Sequence, residues 1–294
     1  VAPASRNARH VIDTHAEKSI LKELEKEKKL IEDRNIPVFT YNYSFIRDVL
    51  EKDYNVKISV PTIIQRAKNN GYFLEKSERK IHAREVLTQC SGELVQHDSS
   101  HHQWSPYMKE KLYLITSLDD YSRLLLFADF FSRETAWTHI LALHHVFLNY
   151  GCPLKYYPDQ HSIFRYVHER DKHNPWHIYT KFTDDVTPQW KQVLKECYVD
   201  VVYALSPQAK GKVERPYRWL QDRVVRIAAR NHATTLEELR AILKEIVLQY
   251  NTRWIHSTTK EIPILRFEKA SSEEKTLFKP FQVPSPYTDI KDVF

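Results

Sequence analysis

Three β-like runs follow one another closely between Glu93 and Phe131: ELVQHD, KLYLITSLDD and LLLFADFF. Short polar links join them. A parallel pair needs a crossover of about a dozen residues or more, so runs this close pair antiparallel, as a meander. Thr135–Tyr150 then has helical periodicity, with Trp137, Ile140, Leu141, His144, Phe147 and Leu148 on or near one face, and it stops at Gly151-Cys152-Pro153. LKYYPD reads as a short strand, Trp190–Cys197 as a helix and VDVVYAL as another strand. A long helix, Lys212–Arg230, carries Val213, Tyr217, Leu220, Val224 and Ile227 as its buried stripe. Pro216 must lie in its first turn or kink it. This order of elements defines an α/β chain: a mixed sheet of five strands flanked by helices.

The N-terminal part is different in kind. From Asp13 or Thr14 to Arg34 the chain is helical in composition and heavily charged, with a thin apolar stripe of Ile20, Leu24, Leu30 and Ile31. It reads as a solvated helix with one face on a neighbour, with a partner-binding helix as the alternative. Beyond Pro37, Phe45, Ile46, Val49 and Leu50 share one face of a segment Tyr43–Asp53. Val60, Ile63, Ile64 and Ala67 share one face of Val60–Asn70, which has Pro61 in its first turn and Gly71 past its end. Two short helices with a tight link form the pattern of a helix-turn-helix. The second would present Thr62, Gln65, Arg66 and Lys68, groups that suit base edges and phosphates. Glu75–Gln89 follows as a basic linker in which Lys80 and Arg84 would track a phosphate backbone, or simply be solvated. Domain bounds are set at 1–35 for the charged helix, 36–74 for the helix-turn-helix and 75–90 for the linker. The core runs over 91–232 with a polar insert at 166–186, and a C-terminal helix and tail occupy 233–294.

Composition narrows the function. Four glycines, widely separated, leave no loop able to cradle a nucleotide phosphate. Three distant cysteines with no CxxC pair argue for a reducing compartment and against a zinc finger or a disulfide framework. No apolar run approaches the roughly 18 residues of a membrane span, and the N-terminus lacks the pattern of a signal peptide. The net charge of +6 permits nucleic-acid binding without requiring it. Its distribution says more: residues 206–230 hold seven Lys or Arg against two acids.

The chemistry rests on three acids. Asp98 comes where the first strand gives out, Asp159 ends the fourth, and Glu214 opens the long helix. If the first and fourth strands are neighbours, the aspartates lie side by side and the helix can bring Glu214 across them. Like charges at that range repel unless a cation screens them, and hard oxygen ligands suit Mg²⁺ or Mn²⁺. A pair of such ions activates an attacking oxygen and stabilises the leaving one in phosphodiester displacement.

At these residues GELVQHDSS, LDDYSR followed by SRET, YYPDQHSIF and SPQAKGKVER resemble the successive motifs of DDE transposases of bacterial insertion sequences, which have a retroviral-integrase-like core. The likeness spans roughly residues 36–270, including the Tyr250–His256 stretch. The interval of 61 residues from Asp98 to Asp159 is close to that of the family. The interval of 55 from Asp159 to Glu214 is longer than in retroviral integrases, and the insert accounts for the excess. Lys210 stands where many relatives have Asn, a change that bears on DNA contact. The resemblance implies an RNase H-like core preceded by an all-α helix-turn-helix domain. It implies Asp98, Asp159 and Glu214 as ligands of two Mg²⁺ or Mn²⁺ ions, cleavage of double-stranded DNA at element ends, and joining of the 3′-hydroxyl to target DNA. Lys210, Lys212, Arg215 and Arg218 would lie near the DNA backbone. A homodimer or larger assembly on DNA, in the bacterial cytoplasm, completes the expectation. The start at Val1 and the stop at the β-like DIKDVF read as a fragment of a longer protein.

Two other readings compete, a non-catalytic DNA-binding regulator on the same fold and a hydrolytic RNase H-like nuclease. Three repelling carboxylates kept together speak against the first, and a separate sequence reader against the second. Asp119 and Asp120 read as turn residues rather than ligands, and Asp184 and Asp185 as solvated. His97, His101 and His102 crowd Asp98; with no cysteine nearby they read as supports for a ligand or as DNA contacts before transition-metal ligands. Trp104 and Tyr107 read as core residues, with base stacking as the alternative.

Overall fold

The computed structural model describes residues 13–74, 88–159, 162–164, 188–203 and 211–294, with backbone alone over 211–216. The chain divides into two compact units, Val1–Ile81 and His82–Phe294.

The first unit contains three helices, α1 (Thr14–Glu32), α2 (Tyr43–Tyr54) and α3 (Val60–Asn69). Ile20 and Leu24 of α1, Ile46 and Leu50 of α2, and Ile63 and Ala67 of α3 form a single buried cluster. The solvated α1 of the sequence reading therefore has its neighbour: the helix pair. Asn42 caps α2 by accepting from the Phe45 amide, and Asn55, left-handed at φ 54, ends it. Ser59 caps α3 by accepting from the Thr62 amide, and Pro61 fits its first turn.

The second unit is built on five strands in the order β3-β2-β1-β4-β5: β1 (Val95–His102), β2 (Leu112–Asp119), β3 (Leu125–Phe131), β4 (Lys155–Tyr157) and β5 (Asp200–Val201). The first three form the expected antiparallel meander, and β4 and β5 run parallel to β1. This is an RNase H-like sheet. The helices of the unit are α4 (Ala136–Tyr150), α5 (Gln189–Glu196), α6 (Gly211–Asn231), α7 (Leu236–Thr252) and α8 (Pro263–Ser272).

Alternation along the strands sends side chains to two cores. On one face Leu112, Leu114, Leu118 and Phe130 meet Tyr217, Leu220 and Val224 of α6 and Leu239, Leu243 and Ile246 of α7. On the other, Val95, Leu124 and Leu126 meet Leu143, Val146 and Phe147 of α4 and Trp190 and Leu194 of α5. Among the described residues no helix is long and apolar enough to cross a membrane.

Several sequence expectations need correction. β1 does not end at Asp98 but continues to His102, because pairing with β2 along its whole length outweighs the poor strand propensity of Asp and Ser. On α4 the expected Ile140 and Phe147 are buried, together with His139, Ala142, Leu143 and Val146, while Trp137 and Leu148 are exposed. α6 begins at Gly211, so Pro216 falls in its second turn. The C-terminal tail contains a further helix, α8, and then passes over the α4 core, where Phe278, Phe281, Tyr287 and Phe294 pack. DIKDVF is no strand start but a 3-10 turn at Ile290–Asp292. The tail crosses so close that a Cβ on Gly92 would meet Phe278 Cδ2 at 2.6 Å, and one on Gly151 would meet the Lys279 carbonyl oxygen at 2.4 Å.

Candidate active site

β1 and β4 are hydrogen-bonded neighbours with Val95 opposite Tyr156 and Gln96 opposite Tyr157. That register is an offset of 61 residues (156 − 95 and 157 − 96), the same as the interval from Asp98 to Asp159. Carried two residues past the last pair, it sets Asp98 level with Asp159. Among the described residues the β1–β4 pairing stops at Gln96 and Tyr157, just short of the carboxylates. Both aspartates are half-buried.

Asp98 pairs across β1–β2 with Thr116, so the two side chains share the α6 face. There the Thr116 hydroxyl donates to the Tyr217 phenol oxygen at 2.8 Å. Burial raises the Tyr217 phenol well above the ordinary tyrosine range, and the charges of Asp98, Glu134 and Asp159 push it further in the same direction. This side chain of α6 therefore reports on the negative field of three acids. Glu214 occupies the position three residues earlier in the same helix, one turn toward its N-terminus. Its side chain, like those of Lys212 and Arg215, lies outside the described residues. Among the described residues no group of three or more His, Cys, Asp and Glu is arranged to hold a metal ion. Carboxylate oxygens such as those of Asp98 and Asp159 are hard donors of the kind that suits Mg²⁺ or Mn²⁺.

Opposite this face, a chain of polar side chains is buried that the sequence reading missed. His97 and His139, both without solvent exposure, face one another with Nε2 and Nδ1 2.8 Å apart. His97 Nδ1 meets Ser117 Oγ at 2.9 Å, and His139 Nε2 meets Glu134 Oε1 at 3.1 Å. Ser99 donates to the same Glu134 oxygen. His101 instead stacks on Tyr113, ring centroids 4.1 Å apart, and His102, its imidazole lowered by burial, sits edge-on to Trp104. Trp104 is a core residue that donates to the Leu112 carbonyl, and Tyr107 lies against His232.

The acids of LDDYSR serve the turn. Asp119 is buried and accepts from the amides of Gly92 and Ser122 and the hydroxyls of Ser91 and Ser122. Asp120 takes Arg123 Nη1 at 2.7 Å, the Gln96 amide and the Thr88 hydroxyl. On α3, Thr62 bonds Ser59, Gln65 bonds Asn69, Arg66 pairs with Glu17 of α1 at 3.0 Å, and Lys68 lies over the Phe73 ring. Arg218 is exposed on α6. Lys80, Arg84, Lys210 and the 166–186 insert, with Asp184 and Asp185, lie outside the described residues.

The sheet is RNase H-like, with Asp98 on its first strand and Asp159 two residues beyond its fourth. In sequence the chain is similar to two bacterial transposases. It is 30% identical over 198 residues, 67% of its length, to the putative transposase y4bF of Sinorhizobium fredii and to the transposase for insertion sequence IS1202 of Streptococcus pneumoniae. It spans 41% and 39% of those two proteins, about two fifths of each. No family model matches it. Among solved structures, the catalytic core domain of BIV integrase is 18% identical with a TM-score of 0.44, over 62% of this chain and 98% of that one. The strand order itself, not this likeness, defines the fold.

Proposed function

We propose that the chain carries the catalytic part of a DNA transposase, which cleaves the ends of a mobile element and joins the exposed 3′-hydroxyl to target DNA. The observation that supports this reading is the equality between the β1–β4 register and the Asp98–Asp159 interval. Water is the nucleophile of the first displacement and the 3′-hydroxyl that of the second. Asp98, Asp159 and Glu214 would hold two Mg²⁺ or Mn²⁺ ions, which supply activation of the attacking oxygen and charge stabilisation at the leaving one. The three acids supply oxygen donors only and take no proton in either step. Tyr217, kept neutral, adds no further negative charge beside them. Lys212, Arg215 and Arg218 on α6, with Lys210 before it, would lie along the phosphate backbone. Thr62, Gln65, Arg66, Lys68, Lys80 and Arg84 would hold element-end DNA. The partner is double-stranded DNA, and joining two ends calls for a dimer or larger assembly. A cytoplasmic site of action follows from that partner.

The test is nicking of supercoiled plasmid in Mn²⁺ by the wild type, Asp98→Asn and Glu214→Gln. Activity in the wild type alone, abolished by chelator, supports the assignment. Equal activity in all three would refute it.

A further inference from the structure

We propose that Glu134 is a positioning residue for the carboxylate pair, acting through a closed chain of hydrogen bonds that grips β1 on both sides of Asp98. The inference rests on the reading of Asp98 and Asp159 as metal ligands.

His97 and Ser99 flank Asp98 by one residue each, so both project from the opposite face of the sheet. Both are held there. Glu134, immediately before the Thr135 cap of α4, accepts from Ser99 and from His139 Nε2 through one oxygen. His139, one turn into α4, meets His97, and His97 meets Ser117, its cross-strand partner on β2. With both imidazoles neutral, one proton assignment satisfies every link. The carboxylate only accepts, so His139 donates from Nε2 and accepts at Nδ1 from His97 Nε2–H. His97 Nδ1 then accepts from the Ser117 hydroxyl. Aromatic rings enclose the chain: Trp190 stacks on His97 at 5.6 Å between centroids, and Phe164 lies edge-on to both imidazoles. A polar chain whose imidazoles and Ser117 are fully buried, with Glu134 and Ser99 half-buried at its end, holds its members in one geometry.

The restraint stands where the backbone provides least. Among the described residues β1 is paired with β4 only as far as Gln96, and from Asp98 onward its paired neighbour in the sheet is β2. At that point two carboxylates stand level and repel. Ties at positions 97 and 99 to β2 and to the start of α4 replace the missing ladder and fix the strand beneath Asp98.

The test is Mn²⁺ affinity by titration calorimetry on the full chain, with thermal unfolding measured in parallel. The variants are Asp98→Asn, Glu134→Ala, Glu134→Gln and Ser99→Ala. Glu134→Ala should lower the affinity by about ten- to a hundredfold, the usual effect of losing a group that orients a ligand. Glu134→Gln should restore most of it, because the amide oxygen still accepts from Ser99 and His139. Wild-type affinity in Glu134→Ala overturns the inference. Equal loss in the Gln and Ala variants also overturns it, since charge and not position would then matter. If Glu134→Ala does not fold, Ser99→Ala decides: a smaller loss supports the inference and no loss overturns it. A wild type that binds no Mn²⁺, or an Asp98→Asn variant that binds it equally well, removes the metal-site reading and this inference with it. Failure in the Glu134 and Ser99 variants alone leaves that reading standing.

Discussion

Replacing Gly151 by alanine tests how firmly the C-terminal tail is fastened to the core. Gly151 has φ 97 and ψ 178, a region of backbone space open essentially to glycine alone. Alanine there costs about 1–3 kcal/mol in strain. Its Cβ would also stand 2.4 Å from the Lys279 carbonyl oxygen, a backbone atom with no flexible end to swing aside. That oxygen accepts from the Cys152 amide at 2.8 Å, and the Lys279 amide donates back to the Cys152 carbonyl at 2.9 Å. Moving the tail to relieve the clash breaks both bonds, at about 0.5–1.5 kcal/mol each. The total is about 4 kcal/mol, which for a unit of this size lowers Tm by roughly 10 °C. Gly71→Ala is the comparison: its φ of 76 is also positive, but nothing lies within 4 Å of the added carbon, so strain alone remains. Scanning calorimetry reads both, and hydrogen exchange at the Lys279 amide should accelerate only in Gly151→Ala. A Gly151→Ala protein that melts within a degree of the wild type, with Lys279 still protected, would refute the account of the tail.

Removing the Asp120 carboxylate by Asp120→Ala leaves the buried Arg123 guanidinium without its 2.7 Å partner and should cost about 3–5 kcal/mol in urea unfolding. A change under about 1 kcal/mol would mean that the pair is not what closes the LDDYSR turn. Alkaline pH should also destabilise the core. Burial raises the phenols of Tyr156, Tyr217 and Tyr250, so the folded chain keeps protons that the unfolded chain loses near the ordinary value of about 10. Their contribution is fully present below about pH 10 and is lost as pH rises beyond it. Urea midpoints should thus hold steady to about pH 9 and fall by about pH 11, with a final step of tyrosinate absorbance, that of the buried phenols, appearing on unfolding.

Much of the fold was legible because strand runs and apolar stripes obey periods of two and 3.6. The meander and α6 followed from that patterning and from the short links, whereas the adjacency of the first and fourth strands was only a condition that the sheet order meets. Errors arose where pairing or burial overrode composition. Asp98 and the serines after it look like the end of a strand, yet β2 pairs with every one of them. Trp137 and Leu148 widened the apolar face of α4 beyond the buried Ile140 and Phe147, and His139 was left off it, because a buried histidine scores as polar until its partners are known. The Glu134 chain joins residues 97, 99, 117, 134 and 139, and no local pattern links positions so far apart. The tail was undervalued for a similar reason: its aromatic residues are scattered, and only the surface they cover gives them a purpose.

The β1–β4 register also bears on how such a site tolerates change. β2, β3 and α4 all lie between Asp98 and Asp159 in the chain, and their connecting loops can lengthen or shorten freely. A slip of one residue between the two strands cannot be absorbed in that way. It would turn every side chain of β4 to the other side of the sheet, sending Tyr156 out of its core and Asp159 away from its partner together. A hydrophobic error and a chemical error thus occur in the same misfolded state. The tyrosine that fills the core also proofreads the alignment of the acids.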